Sequence, residues 1–99
     1  MDDTFITACV TMLNVDLGDL SPVQQVAAYR RQLVQTAASQ IEARGVELDG
    51  DEVADMQFVS SWAAWLYRKR DAGGALPDML REELHTRIVR KALAVEAAP

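Results

Sequence analysis

The sequence predicts an all-α fold, a small bundle of four helices whose C-terminal half is an αα-hairpin. Hydrophobic residues make up 49% of the 99 positions, and Gly and Pro together number only eight, five and three respectively. Runs of β-branched residues are absent, so an all-β or disordered chain is excluded. Apolar residues instead recur at helical spacing in four segments, separated by Gly or Pro. The helices are expected near residues 3–14, 22–44, 51–71 and 77–93. They form a single domain over 1–99, with 92–99 as a frayed tail. A chain of this length can bury roughly 60 to 65% of its unfolded surface, so a core without staples is possible.

The first helix carries Phe5, Cys9, Met12 and Leu13 on one side, with Ile6 and Val10 adjoining, and is expected to pack as a lid. Ser21 followed by Pro22 is the N-cap and N1 signature of the second helix. Its apolar stripe runs through Val23, Val26, Ala27, Leu33, Val34, Ala37 and Ile41, with Gly45 as its stop. Arg30 falls inside that stripe. It requires an acidic partner or a route to water, because an unpaired buried charge costs several kcal/mol. The opposite face carries Gln24, Gln25, Gln32, Gln35 and Ser39, polar but uncharged, which suits packing against another protein as well as solvent.

The third helix, capped by Asp49 or Asp51, contains both tryptophans. At helical spacing Met56, Phe58, Val59, Trp62, Ala63, Trp65 and Leu66 cover more than half its circumference, leaving Gln57, Ser60, Ser61 and Arg68 as a narrow polar face. Such a helix needs cover from two neighbouring helices, or from one helix and a second subunit. Gly73 or Gly74 stops it, and Pro77 opens the fourth helix at N1. Leu76, Leu80, Leu84 and Ile88 then form a stripe that folds back on the tryptophan helix. The expected core is Phe58, Trp62, Leu66, Leu80 and Leu84.

A net charge of −5 argues against general nucleic-acid binding, which depends on clustered Lys and Arg neutralising phosphates. The basic groups Arg68, Lys69, Arg70 and Arg87, Arg90, Lys91 stand at helix ends, where they complement the macrodipole. One cysteine cannot form an internal disulfide. Asp16 and Asp19 lack the oxygen-ligand spacing of an EF-hand loop. His85 has no Cys or second His at metal spacing and no nucleophile to activate, and Ser60 and Ser61 are not on a nucleophile elbow. No enzyme, metal or cofactor is therefore expected. The acidic start at Asp2 and Asp3 is unlike a signal peptide, and no segment has the roughly 18 to 20 apolar residues of a membrane span. The expected setting is a bacterial cytoplasm or an assembly made there.

The segment WAAWLYRKRDAGGALPDMLREELHTRIVRK resembles the C-terminal half of the head-tail connector (head-completion or adaptor) proteins of long-tailed bacteriophages. Trp65, Leu66, Tyr67, Arg68, Arg70, Pro77, Met79, Leu80 and Arg87 carry the likeness, and ACVTMLNV and GVELD extend it into the N-terminal half. Asp78 and Glu82 through His85 depart from it. The resemblance implies a structural subunit that forms a ring on the portal of a phage or prophage and joins head to tail at the virion neck, after synthesis in the host cytoplasm. Its partners would be copies of itself, the portal protein and a tail-side connector, with DNA only as passing cargo. On that reading Gln25, Gln32, Gln35 and Trp65 are expected at the subunit interface, and Arg87, Arg90, Lys91, Leu93 and Val95 at the portal. Two other classes fit the residues: a helical DNA-binding, packaging or regulatory protein, and a generic helical interaction domain.

Overall fold

The computed structural model describes residues 2–69 and 74–97, with side chains through residue 94. Four helices are present, α1 (Asp3–Leu17), α2 (Gln24–Ala43), α3 (Val53–Lys69) and α4 (Asp78–Ala97), and the described residues contain no strand. Arg70 and Gly73 lie outside the described residues, as does the side chain of Val95.

Helix α3 is the axis of the bundle. Helices α1 and α2 pack against it along their lengths and against each other, while α4 packs chiefly on α3 and more lightly. Asp16 meets Arg68 at one end of α1 and α3, and Asp2 lies beside Gly50 at the other, so the two run parallel. Tyr29, early in α2, stacks obliquely on Tyr67, late in α3, with ring centroids 6.5 Å apart, which makes α2 antiparallel to α3. Trp62 sits in the centre, 1% exposed. Phe58 and Trp65 approach its ring edge-on at 5.8 and 6.1 Å, and its indole N–H donates to Gln40 Oε1 at 2.9 Å. Phe58, Leu66, Leu80 and Leu84 are buried with it, as expected.

Helix α1 is no lid. Phe5, Cys9 and Leu13 are fully buried in the same core as Val34, Ile41 and Val59, and the helix runs three residues past its expected end. Gly18 stops it with φ 74°. The Gly18 N–H returns to the Val15 carbonyl and the Asp19 N–H to that of Asn14, at 3.1 and 3.0 Å, a Schellman closure. Asp2 caps the other end, accepting from the Phe5 N–H at 2.9 Å.

The expected start of α2 at Ser21–Pro22 is displaced to Gln24, with Val23 as an N-cap that lends no side chain. The loop before it has another task. Arg30 is buried, and its guanidinium donates to Asn14 Oδ1 at 2.9 Å and to the Asp19 carbonyl at 3.2 Å, with the Asp19 carboxylate at 3.4 Å. The acidic partner that its place in the stripe demanded is therefore supplied by the α1–α2 loop.

Neither Asp49 nor Asp51 caps α3. Instead Asp55, in its first turn, reaches back to accept from the Asp49 N–H at 2.7 Å, while Asp49 Oδ1 accepts from the Asp51 N–H at 2.9 Å. Leu80 and Leu84 of α4 are buried toward α3, and Leu76, just before the helix, is half-buried, but Ile88 turns outward, 39% exposed. An i+4 stripe drifts by roughly 40° per step on a 3.6-residue helix, and after two steps Arg87 has replaced Ile88 on the inner side. Helix α4 continues through Ala97, so most of the segment expected to fray from residue 92 is helical. Ala, Leu and Glu predominate there and no Gly or Pro interrupts them before Pro99.

Candidate docking surfaces

Arg87 marks the point at which α4 leaves the body. Its guanidinium bonds to Asp55 Oδ1 and donates to Glu83 Oε1 at 2.8 Å and to the Ala54 carbonyl at 3.3 Å. It also lies over the Phe58 ring, 4.8 Å from the centroid. The side chains of Arg87 and Asp55 are only 12% and 8% exposed. Thus Arg87, expected at a portal surface, is committed to holding α4 on α3. The reason is the drift of the stripe, which turns this position inward over the start of α3. Asp55 was missed as a core residue. The signal was available: an acid at N3, set among Met56, Phe58 and Val59 on the apolar arc.

Because Ala54 and Asp55 begin α3, residues 88–97 of α4 extend beyond its first turn, an overhang of ~15 Å at 1.5 Å per residue. Lys91 steadies it, with Nζ 3.2 Å from Glu47 Oε1 and 3.3 Å from the Gly45 carbonyl. Apart from that tie, the side chains described on the overhang, through Ala94, are exposed. Val89 and Leu93 are 41% and 59% exposed, and Arg90 is exposed with no ionic partner among the described residues. Of the expected portal-docking set, then, Arg90 and Leu93 stand free, Lys91 is half-engaged, and Arg87 is built into the fold.

The expected subunit-interface residues fall on two different faces. Gln25, Gln32 and Gln35 are exposed on the side of α2 turned away from the core, where Gln32, Gln35, Thr36, Ser39, Gln40 and Ala43 surround an open hollow. Trp65 is half-buried, its outer ring face covered by Lys69, whose Nζ is 4.4 Å from the centroid. It borders a groove in which the polar side of α3 lies open between α1 and α4. Gln57, Ser61 and Ala64 form the floor of this groove. Met12 and Val15 of α1 line one wall, and Met79 and Leu80 of α4 the other. The groove was not foreseen, because its walls come from helices far apart in sequence.

Reactive chemistry is sparse on these surfaces. Burial pushes the Cys9 thiol up to about 11, so it is a protonated core group and not a nucleophile. The Ser60 hydroxyl donates to the Gln57 carbonyl at 3.1 Å, and His85 is exposed on α4. Asp16 and Asp19 pair with Arg68 and Arg30. Among the described residues no group of three or more His, Cys, Asp or Glu is arranged to hold a metal ion, and no helix is long and apolar enough to cross a membrane. Comparison with protein-family models, curated proteins and solved structures finds no match to this chain.

Proposed function

We propose that this chain is a structural subunit of a phage or prophage head-tail connector, assembling as a ring on the portal and catalysing no reaction of its own. The observation that carries this reading is the overhang of α4. A helix anchored by Leu80, Leu84 and Arg87 continues for ten residues, with Val89 and Leu93 exposed and Arg90 exposed with no ionic partner among the described residues. An isolated domain gains nothing from holding an apolar helical end away from its body. A partner groove with acidic margins would bury that end and pair Arg90 by charge-assisted hydrogen bonds.

Most of the residues that carry the likeness to connector proteins also occupy coherent places. Trp65, Leu66, Tyr67 and Arg68 form the last turns of α3, and Pro77, Met79 and Leu80 open α4 opposite them. In the connectors this sequence resembles, the C-terminal part engages the portal ring and DNA only passes through. The chain's net charge of −5 suits such a passage, since an acidic wall repels phosphates.

The test is deletion of residues 93–99. The truncated protein keeps its helical circular dichroism but no longer co-sediments with portal rings. Co-sedimentation equal to that of the full chain would overturn the docking role.

A further inference from the structure

We propose that the outward face of α2 in one copy lies in the α1–α3–α4 groove of the next, a head-to-tail contact between two different surfaces. The inference rests on the ring-forming role given above and names the surfaces that would make the ring.

The two faces lie on opposite sides of the molecule. At roughly 100° per residue, Gln57, Ser61 and Ala64 share one side of α3, while Val59, Leu66 and Trp62 point between about 100° and 180° away, toward the side covered by α2. Gln40 of α2 receives the Trp62 indole bond there. On α2 itself, Gln25, Gln32, Thr36 and Ser39 are in turn directed away from the buried Val34 and Ile41. Contact between two different surfaces of one chain is heterologous, and it closes as a ring or runs on as a helix but does not stop at a dimer.

Charge favours this pairing. Every copy carries −5, so two copies approach at least cost where both surfaces are neutral. The exposed face of α2 from Gln25 to Ser39 has no ionised side chain of its own. Arg30 is buried on Asp19, and Arg31 is turned to Thr7 and Asp3 of α1. The groove floor is equally uncharged. Of the ionised groups at its rim, Asp16 is bound to Arg68 at 3.0 Å and Glu83 to Arg87 at 2.8 Å within the subunit. Glutamine amides and serine hydroxyls each donate and accept, so they can pair across the contact without charge. Met79, 78% exposed on the groove wall, would be covered in the same step. The dimensions agree, because the face from Gln25 to Ala43 is ~27 Å long and the open side of α3 from Ala54 to Arg68 is ~21 Å.

Single-cysteine variants test the pairing without any portal. Gln32→Cys and Ser61→Cys are both exposed, and native Cys9 is buried out of reach. Each is checked for parental circular dichroism, then oxidised at ~1 mM, a concentration at which a contact with a Kd of that order is still populated. A mixture of the two is expected to give a cross-linked dimer, and the double variant Gln32→Cys/Ser61→Cys a ladder of multimers, while each single variant stays monomeric. Cross-linking of Gln32→Cys with itself would mean an α2–α2 contact and overturn the proposal. No cross-link in any sample would overturn it too, as would equal cross-linking in a control pair of Gln32→Cys with Glu82→Cys. Loss of portal co-sedimentation on truncating the α4 overhang is read separately, so failure of this contact and failure of the connector role are distinguishable.

Discussion

Replacing Arg87 by alanine should be the most destabilising single change on α4. The variant leaves the Asp55 carboxylate, 8% exposed, with the Asp49 N–H as its one described donor. Removing one partner of a buried pair typically costs 3 to 5 kcal/mol, because the remaining charge is uncompensated. Loss of the guanidinium over Phe58 adds a packing term. A total of about 4 kcal/mol is a large share of the ~5 to 15 kcal/mol that holds a typical domain together. It corresponds to a fall in Tm of roughly 15 to 30 °C for a chain of this size.

Asp55→Ala should cost less, about 2 to 3 kcal/mol, since Arg87 keeps Glu83 and the Ala54 carbonyl. In the double variant neither charge is stranded, and the two costs should fall short of adding by about 1 to 3 kcal/mol. Arg87→Lys should not restore stability, because an ammonium cannot span three acceptors in one plane. Urea denaturation followed by circular dichroism and tryptophan fluorescence reads all four variants. An unchanged midpoint in Arg87→Ala, or strict additivity in the double variant, would refute the reasoning.

Trp62→Ala should lower stability by about 3 to 5 kcal/mol, and Gln40→Ala, which removes only the indole's partner, by about 1 kcal/mol; denaturation midpoints test both. Cys9 should resist alkylation at neutral pH until the chain unfolds. Its folded pKa is raised from 9.0 to about 11, so the unfolded thiol ionises first, and stability present below pH ~9 should fall between pH ~9 and ~11, more steeply than in Cys9→Ala. Labelled duplex DNA at ~0.1 M salt should show no sub-micromolar binding with a steep salt slope, and such binding would favour a DNA-binding function instead.

The architecture was legible because spacing and stop signals agree along this chain. Gly18 and Gly45 adopt φ 74° and 90° at the ends of α1 and α2, and the apolar arc of α3 is wide because three helices cover it. What misled was any feature that depends on a distant residue. Ser21–Pro22 is a strong local cap, yet α2 begins at Gln24, and the loop before it places Asp19 on Arg30. The sequence correctly demanded a partner for Arg30 but offered several acids, and only the fold selects Asp19.

The surfaces were legible by composition and not by geometry. Gln25, Gln32 and Gln35 stand out as an uncharged polar face and Trp65 as part of an over-wide apolar arc, but the structure puts them on two different faces of the bundle. Arg87, Arg90 and Lys91 read as one basic cluster, yet the 3.6-residue turn gives them three environments: Arg87 on Asp55 in the fold, Lys91 tied to Glu47, and Arg90 exposed with no ionic partner among the described residues. That division has a functional consequence. The two groups that hold α4 to the body set the direction in which Val89, Arg90 and Leu93 project, so under the proposed docking role a partner would meet a helix whose orientation is already fixed. Pre-set orientation reduces the ordering cost of binding. Lys91→Ala, removing a half-exposed tie, should therefore lower stability by less than about 1 kcal/mol while weakening portal co-sedimentation. Full retention of co-sedimentation in Lys91→Ala would show that the Glu47 tie does not set the projection of α4.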